Sequence, residues 1–140
     1  MVFTLSRSIV IVPTTTISTA VTGVLSDEFP LQPNLKAFAL QAVFLYGSGG
    51  TTVKAWIQTS LDAGVTWIDI ANFAFTTSAL RKVTAINPGI VAAAPATPTD
   101  GTLGDNLLVN GILGDRCRCK WTTTGTYAGA TSLTITAVPR

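Results

Sequence analysis

A chain of 140 residues has room for one hydrophobic core and not for two domains of ordinary size. Only 11% of its residues are charged, and the formal net charge of +2 is too small to make nucleic acid the main ligand, because binding to phosphates draws on clustered Lys and Arg. A hydrophobic share of 47% and a mean hydropathy of +0.46 are high for a protein alone in water, and imply surface that partners cover.

The longest uncharged runs, Ser8–Ser26 and Val83–Thr99, are broken by Pro and rich in Thr, Ser and Asn, so neither reads as a membrane span. After Arg7 the apolar run Ile9–Val12 is too short for the core of a signal peptide. Val, Ile, Thr, Phe and Trp recur in short runs separated by Gly, Pro, Asn and Asp, with no long stretch of helical period. The spacing predicts strands at Phe3–Val12, Ile17–Leu25, Leu35–Tyr46, Thr52–Thr59, Thr66–Ala74, Ala79–Ala85, Leu107–Ile112, Arg116–Thr123 and Ser132–Val138. In the third strand Phe38, Leu40, Ala42, Phe44 and Tyr46 share one face, and Gln41 is the only polar residue on the other. That strand is expected to be central and covered on both sides. The Gly-rich segments at Gly47–Gly50 and Gly125–Gly129 read as turns, the first as a hairpin turn. The expected fold is all-β, an antiparallel two-sheet sandwich of jelly-roll-like form with about eight or nine strands and one long loop, in a single domain over 1–140.

The run Ser60-Leu61-Asp62-Ala63-Gly64-Val65-Thr66-Trp67 matches the Asp-box pattern S-x-D-x-G-x-T-W. It predicts a β-hairpin in which the Asp62 carboxylate accepts hydrogen bonds from turn amides and Gly64 supplies a positive φ, with Ser60, Thr66 and Trp67 completing the motif. Asp boxes are familiar from sialidase propeller blades, where they repeat and lie away from the catalytic pocket. The single copy here does not support a propeller.

Residues 87–106 form a long loop whose middle, Ile90-Val91-Ala92-Ala93-Ala94-Pro95, is too apolar for a solvated linker. Ile90 and Val91 are therefore candidate interface residues, against the chain's own sheet or a neighbouring subunit. The alternative is an irregular crossover over one end of the sandwich. Arg116, Arg118 and Lys120 alternate with Cys117, Cys119 and Trp121, so a strand here presents three cations on one face and three burial-prone side chains on the other. The cationic stripe is a second candidate interface, for an acidic protein surface or enclosed DNA. Otherwise it is a solvated face with carboxylates nearby.

Cys117 and Cys119 are too close along one strand for an unstrained disulfide and read as buried thiols of a protein made in a reducing cell. Histidine is absent, which removes the commonest general base and the usual nucleophile pairs, and the seven carboxylates are scattered. No enzyme activity, cofactor or metal site is expected. A glycosidase would require two carboxylates within about 10 Å in a cleft. Trp67 and Trp121 read as core, leaving Trp56, with Tyr46 and Tyr127, as the aromatic platform of a carbohydrate-binding alternative.

The stretch Ala55–Ile70 and the ending Leu113–Tyr127, with its Gly114-Asp115 and Thr124-Gly125-Thr126-Tyr127, resemble small virion proteins of tailed bacteriophages. Ala63 stands where that group often has Gly. The resemblance implies a capsid decoration or cement protein in the virion, assembled in the host cytoplasm, a homotrimer with the major capsid protein as partner. A tail, connector or head-fibre component is the alternative. Direct nucleic-acid binding and membrane association are not expected, and a glycan ligand is not favoured.

Overall fold

The computed structural model describes residues 8–90 and 94–140, and every regular element among them is a strand. In chain order these are β1 (Ile9–Thr16), β2 (Val21–Leu25), β3 (Phe29–Pro30), β4 (Phe38–Leu45), β5 (Ser48–Gly49), β6 (Thr52–Ser60), β7 (Ile68–Phe75), β8 (Leu80–Ile86), β9 (Arg116–Thr124), β10 (Tyr127–Ala128) and β11 (Ser132–Pro139). They form an antiparallel two-sheet sandwich, with β1-β11-β4-β8 in one sheet and β2-β9-β6-β7 in the other. The eight or nine strands expected become eleven because β3, β5 and β10 are two-residue pairings.

Alternation builds the core. Phe38, Leu40, Ala42 and Phe44 of β4 and Leu133, Ile135 and Ala137 of β11 face Val53, Ala55 and Ile57 of β6 and Cys117, Cys119 and Trp121 of β9 within one buried cluster. Phe44 anchors one end, stacked on Phe75 and edge-on to Tyr127. β4 is central, between β11 and β8, but it is covered on one side only: Ala39, Gln41 and Val43 are half-buried and Leu45 is 54% exposed. Small and β-branched side chains suit a pleated surface whether or not anything covers it, so an all-apolar strand does not by itself reveal two packed faces.

The two Gly-rich segments are not hairpin turns. Each carries the chain from one sheet to the other, β4 to β6 and β9 to β11, and they pair with each other as β5 and β10. Glycine is required where they cross, because a Cβ on Gly47 would lie 2.0 Å from the Gly129 carbonyl oxygen. The first strand runs on through Pro13, which an edge strand with register shifts on either side of Val12 tolerates; positions 3–7 of the predicted strand fall outside the described residues.

The strand expected at Leu107–Ile112 does not form. Left-handed Asn106 and Gly111 interrupt the extended run, and what remains is one bridge, Ala71 to Leu108, flanked by Asn72 N–H to Leu107 O and Val109 N–H to Ile70 O. The segment lies along the open edge of β7.

Candidate functional site

The Ser60–Trp67 turn joins β6 to β7, with Thr59 opposite Ile68. Asp62 Oδ1 accepts the Thr66 N–H at 2.8 Å and the Ser60 hydroxyl at 2.8 Å, while Asp62 Oδ2 accepts the Thr66 hydroxyl. Ser60 Oγ in turn accepts the Gly64 N–H at 2.8 Å, and the Trp67 indole donates to the Gly64 carbonyl. Hydrogen bonds from the Thr66 side chain first, then its backbone, hold the Asp62 carboxyl down to about 2. Gly64 has φ +88° and Ala63 has φ +59°, so a residue with a Cβ occupies the left-handed region beside the glycine. Leu61 and Val65 at the tip are 63% and 80% exposed.

The most heavily bonded carboxylate is Asp69, which stands among apolar neighbours in β7 and is 1% exposed. A register shift beside Ile57 sets Asp69 opposite Gln58 of β6. Its two oxygens accept the Gln58 side-chain amide, the Thr99 hydroxyl and the backbone N–H groups of Gly101, Thr102 and Leu103. Burial raises its pKa, but these donors outweigh that and the net shift is downward. The carboxylate thus acts as the anion in a cradle of successive amides, with Gly101 at φ +86° shaping it. Asp100 adds a second anchor: its Oδ1 accepts from the Gln58 amide and from Lys120 Nζ, both at 2.7 Å, and its pKa is lowered chiefly by Lys120.

Residues 99–105 of the long loop therefore lie on their own sheet, across the outer face of β6, β7 and β9. Trp56 is on that face, but the loop leaves it 7% exposed with its indole donating to the Leu103 carbonyl at 2.8 Å. Tyr127 is 2% exposed, so the aromatic platform of the carbohydrate alternative loses two of its three rings to the interior. Ile90 is 47% exposed; Val91 lies outside the described residues.

Arg116, Arg118 and Lys120 point outward from β9, and each finds a partner within the chain. Arg116 meets Asp115 at 3.1 Å and Glu28 at 3.6 Å, and Lys120 meets Asp100. Arg118 donates to Gln58 Oε1 at 2.8 Å and lies 4.1 Å from the centre of the Trp67 ring. The stripe is thus a face with carboxylates nearby, tied to the hairpin and to the loop.

Asp69 and Asp100 converge on one amide, a proximity that their spacing in sequence did not reveal. Both are shifted downward, Asp69 by the Gln58 and loop donors against its burial and Asp100 chiefly by Lys120, so both favour the ionised form. Burial pushes the Cys117 thiol up to about 12 and the Cys119 thiol higher still, away from the nucleophilic thiolate. Among the described residues no three His, Cys, Asp or Glu side chains gather as a metal site.

Gln58, Asp69, Thr99 and Asp100 escaped the sequence reading as a group. A carboxylate in the middle of Ile68-Asp69-Ile70-Ala71, opposite a strand with an outward Gln, was the available signal, since a buried charge needs donors.

Among the described residues nothing gives such cover to the opposite outer face, on β1-β11-β4-β8. Across its centre run Val10, Thr136, Gln41 and Val83 in cross-strand register, and beside them Thr134, Val43 and Arg81. Val10 is 48% exposed and Val83 65%. Arg81 is the only charged side chain among these outward strand residues.

No protein-family model matches the chain, and neither a curated protein nor a solved structure matches it. Function is argued from the two faces themselves.

Proposed function

We propose that this chain is a non-enzymatic structural protein of a phage particle, a decoration protein that bridges subunits of the head. The observation that carries the reading is the outer face of the β1-β11-β4-β8 sheet, a mixture of Val, Ala, Thr and Gln41 with Arg81 its only charge, which no described part of the chain covers and which suits a subunit covered by a neighbour in an assembly, on a sandwich whose bonded carboxylates are committed to its own loops. Surface of this kind favours lasting protein contacts, because removing apolar area from water contributes about 25 cal/mol per Å² before the costs of association. The phage-like hairpins and a low charged fraction of 11% support the same role.

The test is co-sedimentation of the purified chain with heads emptied of DNA, together with immunogold labelling of whole particles. Saturable binding to heads at a copy number fixed by capsid symmetry is expected. Label confined to tails or fibres would move the protein to a tail, connector or head-fibre role, and its absence from particles would overturn the reading.

A further inference from the structure

We propose that the outer face of the β1-β11-β4-β8 sheet is the surface through which two copies of this chain pair about a two-fold axis, in place of the trimer that the resemblance to phage decoration proteins implies. The inference rests on the reading of the chain as a subunit of an assembly, and names the surface that serves it.

Area is the first argument. The four strands are 8, 8, 8 and 7 residues long. With strands about 4.8 Å apart and a rise of about 3.3 Å per residue, the face is a patch of about 500 Å², or about 1,000 Å² for two copies. That reaches the lower limit for a specific interface.

Charge and relief identify the occupant. An isologous pair brings each residue against the same set of residues, so a face with central charges would repel itself. Here the centre is Gln41, Val43, Thr134 and Thr136, while Arg81 sits on β8, the outermost strand, and falls at the rim where water reaches it. A foreign partner chosen by charge would have only Arg81 to read. A shallow trough lined by Ala39, Gln41, Val83, Thr136 and Val138 runs beside the Val43 row. An open, nearly flat face of this kind can pack on its own copy with sheets about 10 Å apart, in the manner of a sandwich.

The outer face of the other sheet cannot serve in the same way, because its own loop occupies it and Trp56 is buried beneath.

Sedimentation equilibrium on the full chain tests this, with Val43→Lys, Thr136→Lys and Val83→Lys as interface variants and Val65→Lys at the hairpin tip as control. The wild type and the control are expected at twice the chain mass, and the interface variants at the mass of one chain, with near-UV circular dichroism unchanged. The dimer dissociation constant is expected to rise at least about a hundredfold in each. Should Val43→Lys fail to fold, Val83→Lys, at a position already 65% exposed, keeps the test decisive. A wild type that stays at one chain mass to high concentration, a trimer, or a dimer indifferent to all three lysines would overturn the proposal. A two-fold pair that does not bind heads would remove the decoration role and leave this inference standing, whereas a monomer that binds heads would do the reverse.

Discussion

The two sheets of this sandwich turn very different faces to the outside. One carries Trp56, Gln58, Asp69, Arg118 and Lys120, and is closed by residues 99–103, from which the Thr99 hydroxyl and the N–H groups of Gly101, Thr102 and Leu103 converge on the Asp69 carboxylate. The other carries Val, Thr and Ala with a single Gln and a single Arg, and no described part of the chain crosses it. Polar groups on the first face are there to fix the chain's own loop. The second face has nothing comparable to fix, and its apolar surface remains available to another molecule.

The largest effect that separates the faces should come from Asp69→Asn. The amide offers one oxygen where the carboxylate offered two, and turns a donor toward N–H groups that need acceptors. A loss of about 3 kcal/mol in urea unfolding is expected, with protease cleavage near Leu103. Thr136→Ser on the opposite face should change folding stability by less than about 0.5 kcal/mol. Similar losses at both positions would erase the contrast.

Acid should act on the same face and on the Ser60–Trp67 turn beside it. Asp62, Asp69 and Asp100 all titrate below their ordinary value in the folded chain, Asp62 at about 2. A carboxylate depressed on folding stabilises above its unfolded pKa and loses that contribution as pH falls through the folded one. Unfolding free energy should therefore be level down to about pH 5 and decline from about pH 4 towards 2, with exchange of the Gly101–Leu103 amides rising first. A profile flat to pH 2 would contradict these assignments.

Trp56→Phe keeps an aromatic ring, though a smaller one, and removes the indole donor, leaving the Leu103 carbonyl without its partner, at an expected cost of about 1 to 2 kcal/mol in thermal or urea unfolding. Smallest is a gain. Ala63→Gly relieves a left-handed alanine, and should raise stability by about 0.5 to 1 kcal/mol at the hairpin without touching either face.

How much of this was legible in the chain depends on the distance between the groups involved. The Ser60–Trp67 turn is local, its donors and acceptors within four residues of one another, and the motif could be read directly. Alternation placed Arg116, Arg118 and Lys120 opposite Cys117, Cys119 and Trp121 with the same ease. The closure of the loop could not be read, because Asp69 finds its donors about thirty residues away and needs a register shift at Ile57 to face Gln58. Trp56 shows the same limit: its strand face followed from alternation, while its cover came from residue 103. Gly47–Gly50 had the composition of a hairpin turn, and only its crossing against Gly129 reveals a passage between sheets. An apolar β4 did not disclose that one of its faces would stay bare.

The account's central claim is that this bare face is made to be covered by a second copy, and the dependence of the melting temperature on protein concentration tests it most directly. Pairing of folded chains alone stabilises them by mass action. The melting temperature of the wild type is predicted to climb steadily with concentration, and that of Val43→Lys to stay level. A wild-type melting temperature independent of concentration, or one that climbs equally in both proteins, would contradict the account.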